Sequence, residues 1–471
     1  MYFIATGAMA ISGLFTVPML VRLLGENEFG RWSLVEPVLV VGAPLSLLGA
    51  SWGVVKQIAH DSVPPGLACR RLIMAGQPVM IFVAVLTTSV LVAMGFSAAD
   101  GLRLGATVWL EGILVLEVAA LRAANMATAF MFTQVIRAVA LVGLMVGAMY
   151  TWVVVSRVGD VIQIRLLVAA VAGGIGAALL FIQGASSIDA DVTPGQIGAN
   201  GRQRASSSAF YGDAVRYGAP LLAVSLLGMV LQFADRFIIK AFLDYRALAH
   251  YFVYIKISSV IALLVVTPFA LWWPAKRFKQ RKAPDGGRDY FPRVAMIFLV
   301  VLLAGAGSLW LVTGLLLPFF APGIPFDSVV VLLLLLGGVA AGMAYPLNVA
   351  LLDEGQTHKN LYAAFLAAVL NVILAFILIP KLQLIGAALA NLLGYVVYVI
   401  SFTYFSQRVF RVSFAFGRML ALTCVAVASL CGVATIIPFE PGPSSVRRVV
   451  IYLGVLSIVS PLLGVRLRGG A

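Results

Sequence analysis

The stretch QFADRFIIKAFLDYRALAHYFVYIK, residues 232–256, places Asp235, Arg236, Lys240 and Lys256 inside or at the rim of two strongly apolar segments. A charge at the centre of a bilayer costs about 2.5–3.5 kcal/mol to insert, so each such side chain needs a wet cavity or a partner. On a helix, Gln232, Arg236 and Lys240 follow one another at i, i+4 and i+8 and share one stripe. The stripe reads as part of a cationic lumen for an anionic, membrane-soluble substrate.

The rest of the chain supports a membrane setting. Of 471 residues, 62% are hydrophobic and 11% charged, and the mean hydropathy is +1.03. Soluble domains are nearer half apolar, so a soluble globule is excluded. The formal charge of +14 is scattered between apolar runs and shows no basic face, which argues against nucleic acid as a partner. Cys69, Cys424 and Cys431 form no CxxC and no even set, so neither a disulfide framework nor a metal site is implied, and no cofactor is called for. The N-terminus lacks a basic region and a small-residue cleavage site, so the first apolar run is expected to stay in place.

Apolar runs of about 20 residues fall near 2–21, 33–55, 72–94, 104–121, 135–155, 166–183, 217–243, 250–273, 294–317, 328–351, 360–380, 383–405, 416–437 and 449–465. They predict an all-α, polytopic bundle of about fourteen spans. With both termini on the cytoplasmic side, alternate connections place roughly twice as many Lys and Arg inside as outside, as the positive-inside rule requires. WWPAKRFKQRK (272–282) carries most of that bias, with Arg277 in the loop and Trp272 and Trp273 in an interfacial belt; Arg137 is placed in another cytoplasmic connection.

Residues 184–209 lack aromatic residues and long apolar runs and read as a cytoplasmic linker. It divides the chain into a six-helix lobe (1–183), a second six-helix lobe (210–405) and two trailing helices (406–471). The lobes repeat: LLGENEFGRW (23–32) set against FLDYRALAHY (242–251) matches Leu24 with Leu243, Phe29 with Leu248, Gly30 with Ala249 and Trp32 with Tyr251. Duplicated bundles around a central site are a common transporter design.

On three stretches the chain resembles the polysaccharide flippases of the multidrug/oligosaccharidyl-lipid/polysaccharide exporter superfamily: RLLGENEFGRWSL (22–34), DRFIIKAFLDYRALAHYFVYIKI (235–257) and LNVILAFILIPKLQLIGAALANLLGY (370–395). The second departs from the pattern, with Asp244 and Ala249 where such flippases often keep Gly. The resemblance implies a bacterial inner-membrane transporter, not an enzyme, that moves undecaprenyl-diphosphate-linked oligosaccharide by alternating access. Its partners would be membrane lipids and the polymerase and glycosyltransferases of a surface-polysaccharide or lipopolysaccharide pathway.

Candidate substrate-binding residues are Arg22, Gln232, Arg236, Lys240 and Lys256; for Arg22 and Lys240 snorkelling to the interface is the alternative. Glu111, Glu117 and Asp235 are candidates for ion coupling, with Glu36 a further intramembrane acid. Glu111 and Glu117 are about 240° apart on a helix and cannot both face one lumen; the alternative for each is a cation across a helix contact, or protonation. Asn348, Asn371 and Asn391 are expected to tie helices together. Two other functions remain open: a cation-coupled drug exporter, which would want luminal carboxylates and aromatics, and a polysaccharide polymerase or ligase, which would want a long external loop carrying acids, bases or Arg. The only histidines are His60, His250 and His358.

Overall fold

The computed structural model describes residues 2–61, 63–150, 155–188, 207–284, 286–349, 357–436 and 443–462; the core of the expected linker, 189–206, lies outside them. They form fourteen α-helices and one π-turn: α1 (Tyr2–Ser46), α2 (Ala50–Ala59), α3 (Pro65–Ala93), α4 (Ala98–Ala123), α5 (Ala127–Tyr150), α6 (Val158–Ile188), α7 (Ser207–Phe242), α8 (Tyr245–Ile261), the π-turn Ala262–Val266, α9 (Thr267–Arg281), α10 (Tyr290–Phe320), α11 (Ser328–Leu347), α12 (Thr357–Val409), α13 (Phe416–Ile436) and α14 (Pro443–Leu462). Eleven are long and apolar enough to cross a membrane. The protein is an all-helical, multi-pass membrane protein.

The helices divide differently from the apolar runs. At 1.5 Å per residue the 45 residues of α1 would reach roughly 68 Å, more than twice the hydrocarbon thickness of about 30 Å. Gly25, at φ 69° and ψ 173°, breaks it into two legs, a conformation open chiefly to glycine. The second leg does not run through as 33–55: the chain turns at Leu48 (φ 46°) and Gly49 (φ 86°) before α2. A similar break at Gln383 divides the 53 residues of α12. There the chain folds back, because the Asn371 amide donates to the Ala390 carbonyl at 3.0 Å, and in a straight helix those residues would be roughly 28 Å apart. Asn371 thus ties the two legs together, as expected.

The repeat is visible in the helix breaks. Gly25 and Asp244 occupy the same place in the alignment of 23–32 with 242–251. Gly25 turns by positive φ, whereas Asp244 turns in extended geometry and caps α8, its carboxylate accepting the Ala247 N–H at 2.7 Å. The departure from glycine is thus met by an N-cap. Beyond each break the paired positions Phe29 and Leu248, and Trp32 and Tyr251, are all buried.

Contacts group the chain into two units, Met1–Met229 and Val230–Ala471. The division falls inside α7, and residue contacts explain why. Gln57 of α2 donates to the Phe210 carbonyl at 3.0 Å, and Gly49 and Gly218 bring backbones together so closely that a Cβ on Gly218 would collide with the Gly49 carbonyl. The first half of α7 therefore belongs to the first unit, whose core includes Leu47, Val54, Cys69, Leu116, Ala120, Phe130 and Ala214. Small residues do this where lipid leaves no hydrophobic drive between helices. Gly218→Val is expected to cost about 1–3 kcal/mol, read as a lower midpoint in thermal aggregation of the detergent-solubilised protein; Gly212→Val on the same helix, where a Cβ meets nothing, should change it far less.

Candidate functional site

In the second unit, α7, α8, the π-turn, α9, α11 and α12 enclose a cavity of about 640 Å³. The π-turn lines it through Ala262 and Val266; such turns add a residue to the helix and re-aim the next segment of chain. That segment is α9, where Trp273 and Arg277, four residues apart, enter the wall together. Trp273 is stacked on Phe269, with ring centroids 5.2 Å apart, and meets Phe291 edge-on at 5.9 Å.

Arg277 is 4% exposed, and its Nη1 donates to the Asn348 carbonyl at 3.1 Å. That carbonyl ends α11, where helix carbonyls lack partners and the helix dipole favours a cation. Arg277, counted with the cytoplasmic connection, lies on α9, which continues through the basic run to Arg281, so the face that carries Trp273 also carries Arg277. For the same reason the expected belt divides, with Trp272 exposed and Trp273 buried. Around Arg277 the wall carries Gln232, Asn348, Asn360 and Asn391 as polar groups and Tyr345, Tyr395, Tyr398 and Phe402 as rings. Among the described residues no carboxylate lines it.

The expected basic stripe is not continuous. Gln232 lines the cavity, but Arg236, one turn on, is 2% exposed and its guanidinium is 4.9 Å from the Phe233 ring and 4.7 Å from Phe252. Lys256 is half-buried and shares Phe252, its Nζ 5.1 Å from the ring. Lys240 lies 4.1 Å from the Tyr245 ring. None of the three cations lines the cavity; desolvated cation–π contacts of this kind are worth about 2 kcal/mol. Arg22 is exposed at the end of the first leg of α1.

Asp235 is fully buried. Its Oδ2 accepts the Tyr251 hydroxyl at 2.6 Å and its Oδ1 the Arg236 backbone N–H at 2.8 Å, and the Asn391 side chain lies nearby. Asn391 itself lines the cavity.

In the first unit, Arg137 forms an ion pair with Glu111. Arg137 thus belongs to the interior of α5, and its placement in a cytoplasmic connection is corrected; an isolated apolar-run boundary at 135 hid it. Arg165 lies within electrostatic reach of Glu36, Glu111 and Arg137, with its guanidinium 5.7 Å from the Trp32 ring. Glu111 thus takes the ion-paired alternative. Glu117 is 3% exposed, and its Oε2 has no hydrogen-bond partner among the described residues.

Paired breaks, kinked helices and a polar cavity walled by helices characterise this multi-pass membrane protein. No protein-family model and no curated protein sequence matches the chain. Solved structures of the flippase MurJ and of MATE transporters share its fold. The lipid II flippase MurJ in an inward closed conformation superposes with a TM-score of 0.70 at 13% identity, covering 98% of this chain and 97% of its own. A multidrug resistance MATE family transporter in an outward-facing conformation gives 0.54 at 16% identity, over 86% of this chain and 93% of its own. A MATE transporter from Vibrio cholerae gives 0.59 at 12%, over 86% and 94%.

Glu111→Gln and Arg137→Met are each expected to destabilise the protein by about 3 kcal/mol, by leaving one charge uncompensated. The double variant should lose less than the sum, a coupling measurable in a thermal-unfolding cycle in detergent.

Proposed function

We propose that this protein is an inner-membrane flippase for an anionic lipid-linked oligosaccharide, of the undecaprenyl-diphosphate type. The observation that carries the reading is the chemistry of the cavity in the second unit: a guanidinium, four amides and a bank of aromatic rings, with no carboxylate among the described residues. A diphosphate wants a planar cation that can hold two oxygens at once. Sugar hydroxyls want amides, and sugar ring faces stack on aromatic side chains. Each hydroxyl taken unpaired into hydrocarbon costs several kcal/mol, so a headgroup with about ten of them faces tens of kcal/mol. A wet, amide-lined cavity removes that barrier.

The fold supports the same reading. MurJ, by its name a lipid II flippase, covers nearly the whole chain, whereas the MATE structures stop at 86%, a shortfall of about the size of the trailing segment 406–471. In this reading both termini are cytoplasmic and transport proceeds by alternating access. Arg236 and Lys256 contribute positive potential from behind the wall while Arg277 and Gln232 touch the headgroup. Arg22 in the first unit and Lys240 in the second are each a further candidate substrate contact. The substrate comes from glycosyltransferases and passes to a polymerase. A cationic drug would find no counter-charge on the described wall of this cavity.

The test is translocation of a fluorescent undecaprenyl-diphosphate oligosaccharide in proteoliposomes. Arg277→Ala is expected to weaken binding roughly tenfold to a hundredfold, the value of about 1.5–3 kcal/mol for a hydrogen bond to a charged group. Arg236→Ala with Lys256→Ala should slow translocation as well. Transport of cationic drugs in place of the glycolipid, or glycan transfer without translocation, would overturn the assignment.

A further inference from the structure

Four apolar spans of the second unit, 245–274, 290–320, 359–409 and 416–435, have ends that are drawn together around one ring. The Phe410 ring lies 5.0 Å from the Arg281 guanidinium and meets Phe291 edge-on at 6.4 Å, and a Cβ on Gly286 would touch it. It thereby gathers the end of α9, the 282–289 turn, the start of α10 and the connection from α12 to α13. Gln407 closes that connection, its amide donating to the Val412 carbonyl and accepting the Val412 N–H, both at 2.9 Å. The charge on these segments is one-sided. Residues 276–293 hold seven Lys or Arg against two Asp, and residues 406–418 hold three Arg and no acid. At the other end of α10, residues 321–327 hold no Lys or Arg and one Asp.

We infer that this end of the second unit is a docking platform for the phosphate headgroups of anionic phospholipids in the adjoining leaflet. Topology alone is served by cations in any arrangement, whereas here segments far apart in sequence bring theirs to one place. The helix α9 has no carboxylate of its own. Lys276 with Lys279, and Arg277 with Arg281, are like charges at i, i+3 and i, i+4, which work against a helix; phosphates at the surface offset that repulsion. Lys279, Lys282, Arg408 and Arg411 are exposed. The Arg408 guanidinium lies 4.7 Å from the exposed Tyr404 ring, and Trp272 and Phe278 are exposed on α9 itself, the aromatic residues a membrane interface favours. Each Lys or Arg close to an anionic bilayer surface is worth about fivefold in affinity, a gain that fades within a Debye length. Cations spread over three segments suit a plane of many phosphates better than one soluble anion. The platform does not depend on what the cavity carries.

The experiment measures binding of phosphatidylglycerol and phosphatidylcholine to the delipidated, full-length protein in a nonionic detergent by native mass spectrometry. The natural protein is expected to bind phosphatidylglycerol about tenfold more tightly, a preference that should fall to about threefold at about 0.5 M salt. Lys279→Gln, Lys282→Gln, Arg408→Gln and Arg411→Gln combined should lower it to about twofold. The charge-keeping set Lys279→Arg, Lys282→Arg, Arg408→Lys and Arg411→Lys should retain it, which separates loss of charge from loss of fold. Arg70→Gln, Arg122→Gln, Arg157→Gln and Arg216→Gln combined, four exposed cations of the first unit, should leave it nearly unchanged. Equal binding of the two lipids by the natural protein, an unchanged preference in the first glutamine set, or an equal loss in the first-unit set overturns the inference. Retention of undecaprenyl diphosphate with no preference for phosphatidylglycerol overturns it as well.

Discussion

Hydrocarbon offers no hydrogen bonds and almost no screening, so every polar group this chain carries into the membrane has to be met by another part of the chain. Backbone groups are met by forming helices, and the described residues are overwhelmingly helical for that reason. Side-chain charges are met in three different ways. Glu111 is neutralised by Arg137 on the next helix. Arg236 and Lys256 are laid against one phenylalanine ring, and Asp235 accepts from a tyrosine hydroxyl and a backbone amide. Arg277, which lines the cavity, donates to a helix-ending carbonyl and lies 5.5 Å from the Phe278 ring.

The cavity wall shows how these solutions combine. The helix contacts that bury Arg236 and Asp235 run close to the void, since Asn391 lines it and lies near Asp235. Helix packing and the cavity wall therefore share side chains, and the wall is organised by contacts within the chain. Preorganised dipoles lose less on binding than ones that must first be ordered.

Much of the fold is legible in the sequence because hydropathy period and length are strong signals in a bilayer. The helical class, the repeat at 23–32 and 242–251 and the tie made by Asn371 all come from residues read in order. Helix division is less legible: nothing in the apolar run 33–55 marks the turn at Leu48 and Gly49 except the glycine itself. Site residues are the least legible. Arg236 has the depth expected of a luminal cation but not the exposure, because a residue four positions along a helix is offset by about 40° and ends up against Phe233 and Phe252. Arg277 is hidden among basic neighbours whose number, not direction, a topology count uses. The i, i+4 relation of Trp273 to Arg277, an aromatic and a cation on one face, is the signal that would have found it.

The seventh helix carries a consequence of its own. Its first half is locked to α2 through bare backbone at Gly49 and Gly218, while Leu231 and beyond pack with the second unit against Gly394. The contact grouping divides within α7, near Met229. A gene split within 189–206 would produce an N-terminal fragment lacking one wall of its own core and a C-terminal fragment bearing a spare, glycine-faced half-helix. Two such fragments co-expressed have a docking edge built in, which makes the intervening segment the natural place to insert a tag or protease site without severing the contacts that bind the pieces.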